Sequence, residues 1–456
     1  MFEGESKRMA GQFPRIVTEV PGPKSRALVG EEARHLAPGI QSLSTLGGLA
    51  VARGEGCLIE DVDGNRFLDL AAGIGVNALG HAHPRYIQMM KDQLDRVTVG
   101  SFTTEVRVRA LEKVAAHTPG GLDRIQLYSG GTEAVEAALR LAKSHTKKYE
   151  FLSFWGGFHG KTAGALSLIG DGTKNGLGPM VPGSHHAPYA DCYRCPLGLT
   201  YPSCGVECAS FARKVVKNET TGALAAILVE PIQGTAGNVI PPPEFLAATQ
   251  EIAKENDALL IVDEMITGFG RTGRWFASES AGLRPDILTM GKGLGAGFPV
   301  SGLASTSAIT SAKPWGAPSG SSSSYGGNPM AGAAIHASVT VIEEDRLVEN
   351  AAAVGESMLA RLRDMQDKYA FIGDVRGRGL LLGVELVKDR KTKEPLDKNV
   401  CVRLFQECLK RGLLCMVYNP HFRVNPPLSI DRATADTALA ILDEAFAGLA
   451  RQGGWQ

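Results

Sequence analysis

The chain has 456 residues, more than a single simple core holds, and its length predicts two or three structural units. Hydrophobic residues make up 44% of it, and its 48 Lys and Arg residues balance its 48 Asp and Glu residues. This balance argues against a nucleic-acid-binding face, and the lack of an apolar run of about 18 residues argues against a membrane span.

The N-terminal segment mixes charged residues with glycine and has no apolar stretch of the kind found in a secretory signal. Eight cysteines in the whole chain are too few for a disulfide scaffold. We therefore expect a cytoplasmic protein with reduced thiols, which binds neither nucleic acid nor a membrane.

Short strand-like runs follow this N-terminal segment. Asp63-Gly64 separates the last two runs, and Asp-Gly between strand-like runs is typical of a β-hairpin. We expect an N-terminal arm and a small meander over residues 1–70. The predicted strands of the meander are 49–53, 57–61 and 66–70.

From about residue 104 the sequence alternates between amphipathic helices and short apolar strands. This alternation predicts a mostly parallel α/β sheet, with functional groups at the carboxyl ends of its strands. We expect a large domain over 71–330 and a C-terminal small domain over 331–456. The predicted helices are 105–116, 133–145, 243–255, 330–348, 351–365 and 431–451, and the predicted strands are 125–128, 225–229, 259–262 and 379–387.

An apolar strand-like run ends in an acid at Asp263, and a glycine-rich turn follows it. Lys292 comes 29 residues later, between Gly291 and Gly293 and after another apolar run. Taken alone, Asp263 could be a metal ligand or a helix cap. Lys292 could be a solvated surface lysine or a nucleophilic amine.

Together these two motifs resemble the signature of the class III (omega-type) aminotransferases, in which a strand-end Asp precedes the cofactor lysine by about this distance. Further motifs follow in the same order over roughly residues 40–440. The resemblance implies a type I pyridoxal-phosphate fold of the α/β class. This fold has a large domain with a mixed, mostly parallel sheet and a small α+β domain built from both termini.

The resemblance implies that the cofactor is pyridoxal 5'-phosphate. Lys292 would hold it as a Schiff base and later act as the base that moves a proton at the substrate Cα. Asp263 would pair with the pyridine nitrogen, so that the ring can withdraw electrons. Met265 would pack under the ring, where the family usually has Val or Ile.

Residues 128–134 read Tyr-Ser-Gly-Gly-Thr-Glu-Ala and join a predicted strand to a predicted helix. Backbone N–H groups at a helix N-terminus can bind phosphate, although a plain capping box fits the same residues. The resemblance assigns Gly131 and Thr132 to the phosphate cup. The residues before them depart from the family's usual Asn-Ser.

Two further motifs are assigned to the cofactor pocket through the resemblance. In the first, Phe158 would stack on the ring face opposite Met265, beside His159, with a core aromatic as the alternative. In the second, Glu230 follows a strand and would lie in the catalytic centre. Gln233 would lie near the phenolic oxygen of the cofactor.

The resemblance also implies a second subunit and a substrate pocket. Ser324 would donate a hydrogen bond to the phosphate held by the neighbouring subunit, which implies a homodimer or a dimer of dimers. Arg423 would bind the substrate carboxylate through two parallel hydrogen bonds, with a surface ion pair as the alternative, and Ile74 would line an apolar pocket. Thr235 stands where members that take ω-amines often have Glu, which favours α-amino acids.

Four of the eight cysteines lie close together in the sequence, at Cys192, Cys195, Cys204 and Cys208. Four thiolates could hold a zinc ion or an iron–sulfur cluster. A loop of reduced or disulfide-forming thiols fits the spacing as well.

We expect a pyridoxal-phosphate-dependent aminotransferase that moves an amino group from an amino acid or amine to a 2-oxo acid. An amino-acid racemase on the same scaffold is the alternative, because it uses the same lysine and aspartate. A non-catalytic cofactor-binding protein is the alternative from another class. The presence of Lys292, Asp263 and Arg423 argues against it.

Overall fold

The computed structural model describes residues 14–453. The first part of the predicted N-terminal arm, which includes most of the segment considered as a secretory signal, lies outside the described residues. The described chain forms two compact units, one from residues 85–352 and the other from the segments before and after them. None of the described helices is both long and apolar enough to cross a membrane.

The α-helices of the described chain are α1 (Pro23–Glu32), α2 (Ser42–Gly47), α3 (Ala72–Gly75), α4 (Pro84–Leu94), α5 (Glu105–His117), α6 (Gly131–Thr146), α7 (Ala163–Ser167), α8 (Glu207–Glu219), α9 (Pro243–Glu255), α10 (Ala277–Ala281), α11 (Ser307–Thr310), α12 (Pro329–Glu344), α13 (Leu347–Lys368), α14 (Lys398–Lys410) and α15 (Arg432–Gln452). The strands are β1 (Val51–Glu55), β2 (Leu58–Asp61), β3 (Arg66–Asp69), β4 (Arg124–Tyr128), β5 (Glu150–Phe154), β6 (Ser184–Ala187), β7 (Leu224–Val229), β8 (Leu259–Asp263), β9 (Ile287–Met290), β10 (Ser301–Ser305), β11 (Ile372–Arg378), β12 (Leu381–Leu386), β13 (Leu413–Leu414) and β14 (His421–Val424).

The unit of residues 85–352 is built on a seven-stranded sheet in the order β4-β10-β9-β8-β7-β5-β6. The strands from β9 to β6 pair in parallel, and β10 runs antiparallel to both of its neighbours. Every residue of β7 and β8 is buried, as expected for strands that are covered on both faces. The predicted mixed, mostly parallel sheet is confirmed.

Local signals explain where three of the helices begin. α9 and α12 start with proline, whose fixed φ suits the first helical position. The side chain of Asn328 accepts the N–H of Ala331 at the start of α12, and Asp431 accepts the N–H of Thr434 at the start of α15. Such caps replace hydrogen bonds that the first turn of a helix cannot make within itself.

The other unit takes segments from both ends of the described chain, as the family resemblance predicts. It contains a sheet in the order β1-β2-β3-β13 and a sheet in the order β11-β12-β14. The predicted hairpin at Asp63-Gly64 joins β2 to β3. The Asp61 carboxylate accepts the N–H groups of Asp63 and Asn65 in this turn, and Gly64 takes a φ of 88°.

Candidate active site

The carboxyl ends of three neighbouring parallel strands carry the three predicted catalytic residues. Glu230 follows β7, Asp263 ends β8, and Lys292 lies two residues after the end of β9. Since β7 pairs with β8 and β8 pairs with β9, the fold brings these residues to one edge of the sheet. Ligands of open α/β sheets bind at this edge.

Asp263 is buried, with 2% of its surface exposed, and is held by three donors. Its Oδ2 lies 2.8 Å from Nδ1 of His159. Its Oδ1 accepts the Thr289 hydroxyl at 3.0 Å and the N–H of Met265 at 3.1 Å. A buried carboxylate needs such partners to stay charged.

The electrostatics of the site favour an ionised Asp263. Burial alone would raise the pKa of Asp263, but its hydrogen bond to His159, the charge of His159, the N–H of Met265 and the charge of Lys292 lower it below its usual range. Burial would lower the pKa of His159, yet the carboxylates of Asp263 and Glu230 raise it. Burial raises the pKa of Glu230 despite the nearby His159 ring.

Glu230 and Gln233 connect the loop after β7 to the loop after β5, which carries Phe158. The Glu230 carboxylate accepts the N–H of Phe158 at 2.9 Å and the N–H of Gly234 at 3.0 Å. Gln233 donates its side-chain N–H to the carbonyl of Trp155 at 3.0 Å. Both residues thereby fix the loop that carries Phe158, and the contacts of Glu230 are those of a positioning residue.

Met265 occupies space that only glycine leaves open. A Cβ at Gly131 would lie 3.0 Å from the Met265 sulfur, and a Cβ at Gly291 would lie 2.3 Å from it. The glycine before Lys292 therefore makes room for a side chain of the protein itself. The Met265 thioether lies between the start of α6 and the loop that contains Gly291 and Lys292.

Lys292 is half-buried and has a φ of 45°. It begins a short 3₁₀ turn, and its carbonyl accepts the N–H groups of Gly295 and Ala296. A non-glycine residue in this left-handed region costs about 1–3 kcal/mol, and such residues cluster at functional sites. The fold thus fixes the lysine backbone in an unusual conformation at the predicted reactive position.

The start of α6 combines a cap with backbone donors that have no acceptor within the helix. Glu133 accepts the N–H groups of Ser129 and Gly130 at 3.1 and 2.6 Å, as in a capping box. The N–H groups of Gly131 and Thr132 belong to the first turn, where a helix has no acceptors of its own. The capping and phosphate-binding interpretations are therefore compatible.

The remaining predicted residues lie elsewhere in the chain. Ser324 is exposed on the loop before α12. Arg423 is on β14, where it pairs with Gly383 of β12. Ile74 is in α3 with a φ of 65°. Arg423 and Ile74 belong to the second unit, and their predicted roles stay predictions.

Two sets of hydrogen-bond partners in the site were not predicted from the sequence. Thr289, which donates to Asp263, lies within the motif that contains Lys292 but was given no role. Thr162 and Glu136, which form hydrogen bonds next to Thr132, lie outside the motifs that resemble the family signature. An acid one turn after a phosphate-cup threonine is the only sequence signal for them.

The four clustered cysteines line one shared pocket. All four are free thiols, and burial raises the pKa of Cys208 to about 11. Among residues 14–453, no group of three or more His, Cys, Asp or Glu side chains is arranged to hold a metal ion. The metal site stays a prediction without a preformed cage in the described chain.

The groups at the sheet edge fit pyridoxal 5'-phosphate. They include a buried carboxylate whose lowered pKa favours the ionised form, a lysine at a strand end, and the N-terminus of a helix, whose first N–H groups have no acceptor within the helix. These three groups have the chemistry to meet, respectively, the ring nitrogen, the carbonyl carbon and the phosphate of that molecule.

Known proteins resemble this chain in sequence and in structure. Residues 42–446 match the family described as aminotransferase class-III. The chain is 34% identical to the alanine/serine racemase of Pyrococcus horikoshii, over 95% of this chain and 93% of that protein. It is 36% identical to the diaminobutyrate–2-oxoglutarate aminotransferase of Haemophilus influenzae, over 80% of this chain and 82% of that protein. An amine transaminase from an uncultivated Pseudomonas species, solved in its pyridoxal-phosphate-bound form, superposes with a TM-score of 0.83 and 29% identity, over 91% of this chain and 98% of that one.

Proposed function

The chain belongs to the class III aminotransferase family and is a pyridoxal-phosphate-dependent aminotransferase, and we propose that the residues around Lys292 are its active site. There an amino group would pass from an amino acid or amine to a 2-oxo acid. The observation that carries this proposal is the meeting of Lys292, the ionised Asp263 and Glu230 at one sheet edge.

The cofactor, when bound, supplies an electron-withdrawing ring that stabilises negative charge at the substrate Cα. Lys292 holds it through its amine and acts as the base that moves the proton at that carbon. Asp263, kept ionised by His159, favours a protonated ring nitrogen. The N–H groups at the start of α6 bind the phosphate.

The homodimer belongs to the same proposal. The end of α4 and the segment between α4 and α5 expose apolar side chains: Leu94 is 56%, Val99 57% and Phe102 88% exposed. Exposed apolar surface of this kind marks contact sites. A second copy of the chain is the partner that fits, because Ser324 is assigned by resemblance to the phosphate of a neighbouring subunit.

Arg423 is proposed to bind the substrate carboxylate, and Ile74 to line the pocket for the substrate side chain. Both proposals rest on the sequence motifs. The absence of the family's Glu at Thr235 favours α-amino acids as at least one substrate. The proposed location is the cytoplasm, on the basis of the low number of cysteines.

Racemisation is the second candidate activity of the same site. It is favoured by the resemblance to the alanine/serine racemase of Pyrococcus horikoshii. A racemase would use Lys292 and Asp263 in the same way, but would return a proton to the substrate Cα from the opposite face and would need no oxo acid.

Replacing the lysine tests the proposed site. We expect Lys292→Ala to lose amino transfer between an amino acid and a 2-oxo acid, and to lose the yellow cofactor on gel filtration. Lys217→Ala, at an exposed position of α8, is the matched control and should keep both. Normal turnover by Lys292→Ala would show that the active site is elsewhere.

A further inference from the structure

A chain of hydrogen bonds connects the predicted phosphate cup to the neighbouring loop. The Thr132 hydroxyl lies 2.7 Å from the Thr162 hydroxyl. Thr162 in turn donates to Oε1 of Glu136 at 2.6 Å. Glu136 is on α6, one turn after Thr132, so this series of hydrogen bonds begins and ends on the same helix.

The Glu136 carboxylate also caps a second helix. The same Oε1 accepts the N–H of Gly164 at 2.8 Å and the N–H of Ala165 at 3.0 Å. These N–H groups belong to the first turn of α7, so Glu136 satisfies donors that an N-cap side chain would otherwise satisfy. Since backbone N–H groups only donate, this oxygen acts as an acceptor.

The donor and the acceptor in each of these hydrogen bonds follow from the number of hydrogens that each group carries. A threonine hydroxyl carries one hydrogen and two lone pairs. The single hydrogen of Thr162 points to Glu136, so its oxygen must be the acceptor in the contact with Thr132. The hydrogen of Thr132 is thereby directed at Thr162 and is not free to be donated to a phosphate.

The loop also packs directly on this hydroxyl. Gly160 has a φ of 126°, and a Cβ there would lie 2.2 Å from Oγ1 of Thr132. The loop that includes Gly160 also carries Phe158 and His159. The Thr132 side chain is therefore built into the contact between α6 and the loop that faces the cofactor ring.

We propose that Thr132 is a positioning residue, which holds the loop of Phe158 and His159 against α6 through Thr162 and Glu136. The cofactor phosphate is then held by the backbone N–H groups of the first turn of α6, without the Thr132 hydroxyl. This inference rests on the proposed function, because it assumes that the cofactor lies at this edge.

A double-mutant cycle distinguishes the positioning role from a direct phosphate contact. The variants are Thr132→Val, Thr162→Val and both together, in the full-length chain freed of cofactor. Valine keeps the shape of threonine and removes only the hydroxyl. The probes are pyridoxal 5'-phosphate and pyridoxal, which lacks the phosphate, and the measurement is the Kd of each.

We expect each single variant to raise the Kd of both probes by the same factor, about threefold to tenfold. The double variant should bind both probes no more weakly than either single variant does. Thr132→Ser and Thr162→Ser should restore wild-type binding, and Thr146→Val at the other end of α6 should not change it. Thermal unfolding shows whether each variant is folded. A wild-type chain that binds neither probe would instead contradict the proposed function.

The inference is overturned if Thr132→Val raises the Kd of pyridoxal 5'-phosphate much more than that of pyridoxal, while Thr162→Val changes neither Kd. That pattern would mean that the Thr132 hydroxyl donates to the phosphate directly.

Discussion

His159 and Asp263 form a hydrogen-bonded pair that solvent hardly reaches, with 4% and 2% of their surfaces exposed, and the raised pKa of His159 favours a protonated ring opposite the carboxylate. When one member of such a pair is removed, the other is left buried without compensation. We expect His159→Leu to lower the free energy of unfolding of the cofactor-free chain by about 3 kcal/mol near neutral pH, as measured by urea unfolding.

The pH dependence of that loss has a defined sign. The pKa of His159 in the folded chain is raised above its ordinary value of about 6.5. Its protonated ring therefore stabilises the fold fully below about pH 6.5, and this stabilisation is lost as the pH rises through the raised value. The difference between wild type and His159→Leu should shrink with rising pH, and a difference that grows would contradict the assignment.

Residue positions were predictable from the sequence where the signal is local. Asp263 and Lys292 each follow an apolar run that marks a strand end, so their positions could be inferred before any pairing was known. The hydrogen bonds of Thr289 to Asp263 and of Thr162 to Glu136 each join residues 26 positions apart. Nothing in the spacing states which hydroxyl will face which carboxylate.

At the scale of elements, the position of the loop between β5 and α7 depends on Gly160, which contacts Thr132 of α6. Gly160→Ala would place a Cβ 2.2 Å from the Thr132 hydroxyl, whereas Gly176, also at positive φ, has no atom within 4 Å of its ideal Cβ. We expect Gly176→Ala to cost about 1 kcal/mol from backbone strain alone. Gly160→Ala should cost at least about twice that and also weaken cofactor binding, as measured by chemical unfolding and titration. Equal losses would show that the close contact is not needed.

Elements with strong periodic signals were predicted best. The predicted helix 243–255 has the observed bounds of α9, because its proline start and its apolar face are both explicit in the sequence. β10 was not predicted. It reads Ser-Gly-Leu-Ala-Ser, which lacks the β-branched and aromatic residues typical of strands, and it is a strand because β9 and β4 pair with it on both sides.

For the whole molecule, the exposed apolar segment before α5 predicts an oligomer. We expect the wild-type chain to be a dimer by light scattering, and Phe102→Asp to shift it towards the monomer, because a buried charge without a partner is costly in an interface. Leu177→Asp, at another exposed apolar residue with 60% of its surface exposed, should leave the dimer intact. A monomeric wild type, or equal dissociation by both variants, would contradict the proposed interface.

The overall architecture followed from the alternation of helices and apolar strands, which predicted a mostly parallel sheet without any knowledge of function. The cofactor did not follow from that pattern. An acid and a lysine at strand ends fit several chemistries, and their resemblance to a known signature was needed to choose one.

The most direct test of the aminotransferase assignment is to incubate the purified enzyme with single enantiomers of alanine and leucine, and with ornithine and 4-aminobutyrate, with and without 2-oxoglutarate or pyruvate. Chiral chromatography follows both enantiomers and any new amino acid. The assignment predicts a new amino acid that forms only when an oxo acid is present. Formation of the opposite enantiomer without any oxo acid would contradict it and identify a racemase on the same scaffold.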